Sequence, residues 1–292
     1  MSSTLAFQRR GWQRRLRRWA TLAPQAILVY TLLALLTIVM LGPYLFIFAT
    51  SFKETYTLIS IPPQLIPQKW VWDNYLYIVR DLPFVTWFIN STVVALAVTL
   101  GTVLIDALAA YAFAKKEFWG RDVLFGLMLT TVMIPGALLL IPAFLITNAL
   151  GMVNTYAGLI IPSLGGVLGV FLLRQFMQTL PVELEQAARI DGCSELGVFW
   201  RIILPLSAPG LGTLAIVTFT GQWNALIWPL VVVNSKKLYT LPLGLALLRS
   251  EFQVNYGITS AAAFISVVPL IIVFLFLQRY FLEGLTVGAL KG

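Results

Sequence analysis

The chain has 292 residues, of which 59% are hydrophobic and only 11% charged, less than half of the roughly 25% usual in soluble domains. Its 20 Lys and Arg and 12 Asp and Glu are too few to clothe a water-soluble core of this size, and the single cysteine, Cys193, permits no internal disulfide. Histidine is absent, which removes the commonest general base, proton shuttle and metal ligand, so an ordinary soluble protein and most catalytic classes are excluded.

The first element is a basic arm, residues 1–23, in which Arg9, Arg10, Arg14, Arg15, Arg17 and Arg18 alternate with Phe7, Trp12, Leu16 and Trp19. The cluster directly precedes an apolar run, so it predicts an interfacial segment on anionic lipid at the cytoplasmic face rather than a nucleic-acid site. The uncharged stretch from Ala20 to Phe52 is much longer than a signal h-region of about 7–15 residues and reads as a retained span.

Charge-free stretches of about 20 residues predict an all-α membrane protein with six transmembrane helices, at about 24–49, 83–114, 123–147, 156–177, 206–233 and 257–278 of a permease domain 24–282. Asn148, Gly151 and Asn154 supply the turn between the third and fourth spans. Asp106 falls inside span two, where an acid costs about 2.5–3.5 kcal/mol on insertion scales, so a functional role is the default expectation, with satisfaction by Thr99, Thr102 or partner spans as the structural alternative. Gly165 and Gly169 form a small-residue pair in span four suited to close approach by a partner subunit. Between spans four and five, residues 178–205 make the longest inner loop, with Glu183, Glu185, Asp191 and Glu195 among its mixed charges. Trp223 and Asn224 in span five are candidates for the translocation path, with inter-helix packing the stronger alternative. A tail, 283–292, closes the chain. Basic residues gather at the arm, Lys115, Lys116, Arg121, Arg174, Arg189, Arg201, Arg279 and Lys291, against Lys53, Lys69, Arg80, Lys236, Lys237 and Arg249 on the other side. That asymmetry predicts both termini in the cytoplasm.

Within the loop, Pro181 and Glu183 suit the first turn of a helix, Gly192 ends it, and Ser194 with Glu195 caps a second helix that Leu204-Pro205 stops. Ala187 and Ala188 leave a shallow patch for a partner backbone. The order Gln186-Ala187-Ala188, Gly192, Ile202, Leu204-Pro205 resembles the EAA loop of permease subunits of binding-protein-dependent ABC importers, and the run Glu185 to Glu195 with Asp191-Gly192 resembles the carbohydrate branch, of the maltose type. Asn90-Ser91, Ile134-Pro135, Trp223-Asn224, Trp228-Pro229, Tyr239 to Gly244 and the tail from Gly284 extend the likeness over nearly all the chain after the arm.

That resemblance implies a type I importer permease bundle in a prokaryotic inner membrane. It implies four kinds of partner: a second permease subunit, a dimer of ATPase subunits, an extracytoplasmic sugar-binding protein and lipid. Glu185, Gln186, Ala187, Ala188, Asp191, Gly192, Ile202, Leu204 and Pro205 would couple to the ATPase, and Lys236, Lys237 and Tyr239, in the external segment 234–255, would meet the binding protein. The family motif begins with glutamate where this chain has Gln186, so a charge-assisted contact is lost there or moved to Glu185. Cys193, where a small residue is usual, reads as packing. No glycine is followed by lysine, so no phosphate-binding loop is present and ATP with Mg belongs to the partner ATPase. The expected role is a non-enzymatic sugar permease working by alternating access, without a cofactor of its own. The rivals are an importer of a glycerol phosphate or polyol, an ion-coupled secondary transporter and an intramembrane enzyme. Only Asp106 fits the last two.

Overall fold

The computed structural model describes the backbone of residues 2–54, 66–251 and 255–289, and side chains over 26–54, 66–248 and 255–280. The side chains of the basic arm, Arg249, Glu251 and the tail lie outside the described residues. Every regular element described is helical.

Helix α1, Ser2–Ser51, runs unbroken through Pro24, so arm and first span are one helix and not two segments. Helix α2, Asp73–Arg80, is an outer amphipathic helix that span counting passes over; its buried Asn74 donates from Nδ2 to the carbonyls of Ser51 and Lys53, both at 2.9 Å, and ties it to the end of α1. Helix α3, Phe84–Lys115, is continuous.

Spans three and four are each broken, contrary to the expectation of single helices. The third consists of α4, Arg121–Thr130, a 3-10 turn Thr131–Met133 and α5, Gly136–Ala149, with a bend of 102° between the halves. Proline drives its preceding residue out of the helical region, and Ile134 sits at φ −81°, ψ 117° before Pro135. Gly151 and Asn154, with φ of +66° and +59°, make the turn that follows. The fourth span divides into α6, Tyr156–Ile160, a 3-10 turn Ile161–Ser163 and α7, Val167–Met177, bent by 47°.

The loop forms α8, Glu183–Ile190, then α9, Glu195–Val198, which continues through a π turn Phe199–Ile203 into α10, Leu204–Leu206. Leu204-Pro205 therefore does not stop the second loop helix. Pro205 follows the π turn directly, near the end of this helical run, and the 75° break comes at Ser207, before α11, Ala208–Trp223. Span five is shorter than 206–233, since α11 ends at Trp223 and α12, Ile227–Val232, is separate. Helix α13, Leu241–Glu251, precedes α14, Tyr256–Ala289, which passes through Pro269 and beyond the expected end at 278.

Three uninterrupted apolar helices and three bent pairs account for up to six crossings. α3 lies at the centre, packed on α7 and α11, with α14 against α11 and α1 against α14. One buried cluster, including Ala107, Tyr111, Leu173, Ala188, Phe199 and Ile203, joins the inner end of α3 to the loop; another, including Trp87, Phe219, Trp223 and Leu241, lies toward its outer end. Outside these clusters α1 presents Ile27, Leu28, Leu32, Leu36 and Met40 as exposed apolar surface, an arrangement suited to lipid and prohibitive in water.

Candidate functional site

The inner loop is fastened to α3 by its charges. Lys115, one of the last residues of α3, places Nζ 3.3 Å from Glu185 Oε1, the side chains being 7% and 1% exposed, and donates to the Leu180 carbonyl at 2.6 Å. Arg189, one turn along α8, approaches the other Glu185 oxygen at 3.3 Å and donates from Nε to Glu195 Oε1 at 2.9 Å. Lys116 bonds Glu195 Oε2 and lies over the Tyr111 ring, 4.6 Å from its centroid. Glu195 is held well below the usual carboxylate range, at about 2, by its hydrogen bonds from Lys116 and then Arg189. Gly192 adopts φ +82°, which an L side chain rarely takes, and Ser194 Oγ accepts the Gly197 N–H at 3.2 Å to start α9.

This arrangement divides the residues singled out by the EAA pattern. Glu185 is turned into the chain's own core, so it is not the displaced surface charge that its place beside Gln186 suggested. Ala188 is buried against Tyr111 and Phe199, which reduces the expected alanine patch to Ala187. Gln186, Ala187, Asp191, Gly192 and Pro205 are exposed, while Ile202 and Leu204 are half-buried. The exposed side of the loop is apolar in its prominent positions: Leu184, Ile190 at 86% exposure, Leu196 and Trp200.

In the inner half of α3, Asp106 is 1% exposed and enclosed by this chain's own glycines. Its Oδ1 accepts the Gly166 N–H at 2.9 Å, and Thr102 Oγ1 accepts that of Gly165 at 3.1 Å. Gly165 and Gly169 thus serve a close approach within the chain. The break they line falls in a run that is uncharged throughout, where Pro162 and the Gly165-Gly166 pair are its marks in the sequence.

At the outer end, Trp223 is buried, stacks on Phe219 at 5.8 Å between ring centroids and donates from Nε1 to the Ser266 carbonyl at 2.9 Å. Asn224 is exposed at the end of α11 and bonds back to the Thr220 carbonyl at 2.9 Å. The two adjacent residues therefore occupy different environments. The external segment is not a free loop over its described residues: its last part is α13, and a Cβ on Gly244 would stand 2.2 Å from the Trp87 ring. Trp87 Nε1 donates to the Lys236 carbonyl at 3.0 Å, and Asn90 Nδ2 to those of Lys237 and Tyr239 at 2.9 Å. Tyr156 donates to Asn90 Oδ1 at 2.5 Å and Ser91 Oγ accepts the Leu241 N–H at 2.7 Å. The backbone of this segment is clamped while the side chains of Lys236 and Lys237 stand exposed. Trp87, Tyr156 and the Asn154 turn, whose Oδ1 accepts the Ser235 N–H at 2.9 Å, carry no mark in the sequence that separates them from ordinary interfacial aromatics and turn residues.

Residues 106–287 match the model of the family described as binding-protein-dependent transport system inner membrane component. The chain belongs to this family. The permease is 39% identical to the arabinooligosaccharides transport system permease protein AraQ of Halalkalibacterium halodurans, over 89% of this chain and 94% of that one. It is 36% identical to the trehalose/maltose transport system permease protein MalG of Thermococcus litoralis, over 88% and 94% respectively. Among solved structures it superimposes on a chain of a bacterial ABC transporter involved in import of the acidic polysaccharide alginate, with a TM-score of 0.78, 23% identity and 88% and 96% of the two chains covered, a likeness of fold. The permease is thus a multi-pass inner-membrane component of an ABC importer, with no catalytic reaction or cofactor of its own, and it works with an ATPase and a binding protein.

Proposed function

We propose that the permease is one half of a two-subunit pore that passes a sugar, of oligosaccharide size, from an external binding protein into the cell by alternating access. The relatives' transport of arabinooligosaccharides and of trehalose and maltose supports the substrate class. The observation that carries the mechanism is the attachment of α8 and α9 to the inner end of α3 by the Lys115, Glu185, Arg189 and Glu195 network. Docked on the ATPase through Gln186, Ala187, Ile190 and Leu196, the loop 178–205 passes the closure of the ATPase dimer to α3 and α7, and the bundle turns outward to receive sugar.

Secondary transport has less support, since Asp106 Oδ1 accepts the backbone amide of Gly166 and, among the described residues, the acid makes no ion pair. The test is accumulation of labelled arabino- or malto-oligosaccharides in proteoliposomes holding the full complex, with the binding protein outside and ATP inside. Uptake is expected only with both. Accumulation driven by an ion gradient without ATP overturns the assignment.

A further inference from the structure

Asp106 takes no part in the coupling scheme, yet the chain is built closely around it. It is the only acid of α3, and Gly165, Gly166 and Gly169 all approach its carboxylate. Gly166 is the cap residue of α7 and gives its N–H to Asp106 Oδ1 at 2.9 Å. Gly165 holds φ +76° and gives its N–H to Thr102, one turn earlier on α3. A Cβ on Gly169 would stand 2.0 Å from Asp106 Oδ2 and 2.9 Å from Leu214 Cδ1, so the carboxylate rests on the first turn of α7 only because that residue has no side chain.

A helix that begins inside a membrane has four N–H groups without helical partners and no water to take them, and its start carries partial positive charge. An acceptor reaching over from a neighbouring helix takes up one of those N–H groups, here that of Gly166, and sets negative charge against the helix start. We propose that Asp106 is a positioning residue that caps α7 at the break in span four, and thereby sets the angle at which α7 carries the coupling loop. Together with the Lys115 and Glu185 contact, it joins α3 to the α7 and α8 unit at two levels, one inside the membrane and one at its inner edge. The inference deepens the permease assignment and rests on it.

The experiment pairs ATP-dependent uptake with a distance measured across the break. Spin labels at Ile161 and Gln175, both exposed, bracket it in the reconstituted complex, with Cys193 replaced by serine in every sample including the reference. Asp106→Asn keeps an acceptor toward Gly166 and is expected to retain the reference distance and uptake. Asp106→Leu and Gly169→Ala, the second leaving the acid in place, are expected to broaden the distance distribution and lower uptake about tenfold. The proposal stands where distance and uptake change together in each variant. Loss of uptake at the reference distance, as a proton-carrying acid would give in Asp106→Asn, overturns it, as does full uptake with a broadened distribution. If Asp106→Leu does not assemble, Gly169→Ala decides on the same two readouts. Failure of the permease assignment shows separately, as uptake by the reference complex without ATP.

Discussion

Lys115 and Glu185 bury their opposite charges against each other, 3.3 Å apart, where the inner end of the central helix meets the inner loop. Removing one partner of such a pair leaves an uncompensated buried charge and costs about 3–5 kcal/mol. Glu185→Gln is therefore expected to lower the melting temperature of the detergent-purified complex and raise the ATP hydrolysed per sugar imported. Gln186→Glu, one residue along on the exposed face, should change stability by no more than about 0.5 kcal/mol and leave the melting temperature nearly as it was. Equal effects of the two substitutions would show that Glu185 is not an internal strut.

Gly192 separates the two loop helices at φ +82°, with open space around its α-carbon. Gly192→Asp meets no neighbour, so its penalty is local backbone strain of about 1–3 kcal/mol, confined to the angle between α8 and α9. The permease should still insert and assemble while sugar-stimulated ATP hydrolysis no longer yields uptake. Normal coupling in that variant would mean that the angle is immaterial.

The span pattern, the inner loop and its Gly192 and Ser194 boundaries are legible in the sequence because each is a local signal: a charge-free run, a glycine turn, a cap. The breaks at Pro135 and Gly165 are not visible in hydropathy, since a bent apolar segment and a straight one have the same composition. The direction of Glu185 was illegible for a different reason. Its partner Lys115 lies 70 positions earlier, and only packing brings the two together. Trp87 and Asn90 belong to the same class, because what they hold is backbone carbonyls far along the chain, which leave no residue signature.

The outer clamp separates two kinds of substitution. Asn90→Ala removes the bonds to the Lys237 and Tyr239 carbonyls, at about 1 kcal/mol each and more where the carbonyl stays buried, and should loosen segment 234–241 in hydrogen exchange. Lys237→Glu changes an exposed charge and should leave exchange unaltered while weakening stimulation of ATP hydrolysis by the binding protein. Unchanged stimulation would remove Lys237 from the docking surface.

Glycine contacts give a stability contrast within one chain. Gly244→Ala would drive a methyl group to 2.2 Å from the Trp87 ring, an overpacking expected to cost about 1–3 kcal/mol and to move α13 off α3. Gly221→Ala, in α11 with nothing within 4 Å, should stabilise by up to about 1 kcal/mol through helix propensity alone. Thermal unfolding of both variants, read against the unsubstituted complex, checks the sign of each.

Acid should loosen the inner loop in a defined window. Glu195 sits at about 2 in the folded chain against an ordinary value of 4.5, because Lys116 and Arg189 bond its charged form. A carboxylate depressed in this way stabilises fully above about pH 4.5, and the contribution disappears as pH falls toward 2 and the group takes up its proton. The side chain is 57% exposed, so salt screens the contact and the same loosening should come earlier at high ionic strength. Limited proteolysis of the reconstituted complex between pH 7 and 3 would follow cleavage near α9. Lys116→Met should show faster cleavage already at pH 7 and a smaller increase on acidification, since the bond that acid would break is gone. An increase on acidification as large in Lys116→Met as in the unsubstituted chain would assign the acid sensitivity to other carboxylates and leave Glu195 without a part in holding the loop to α3.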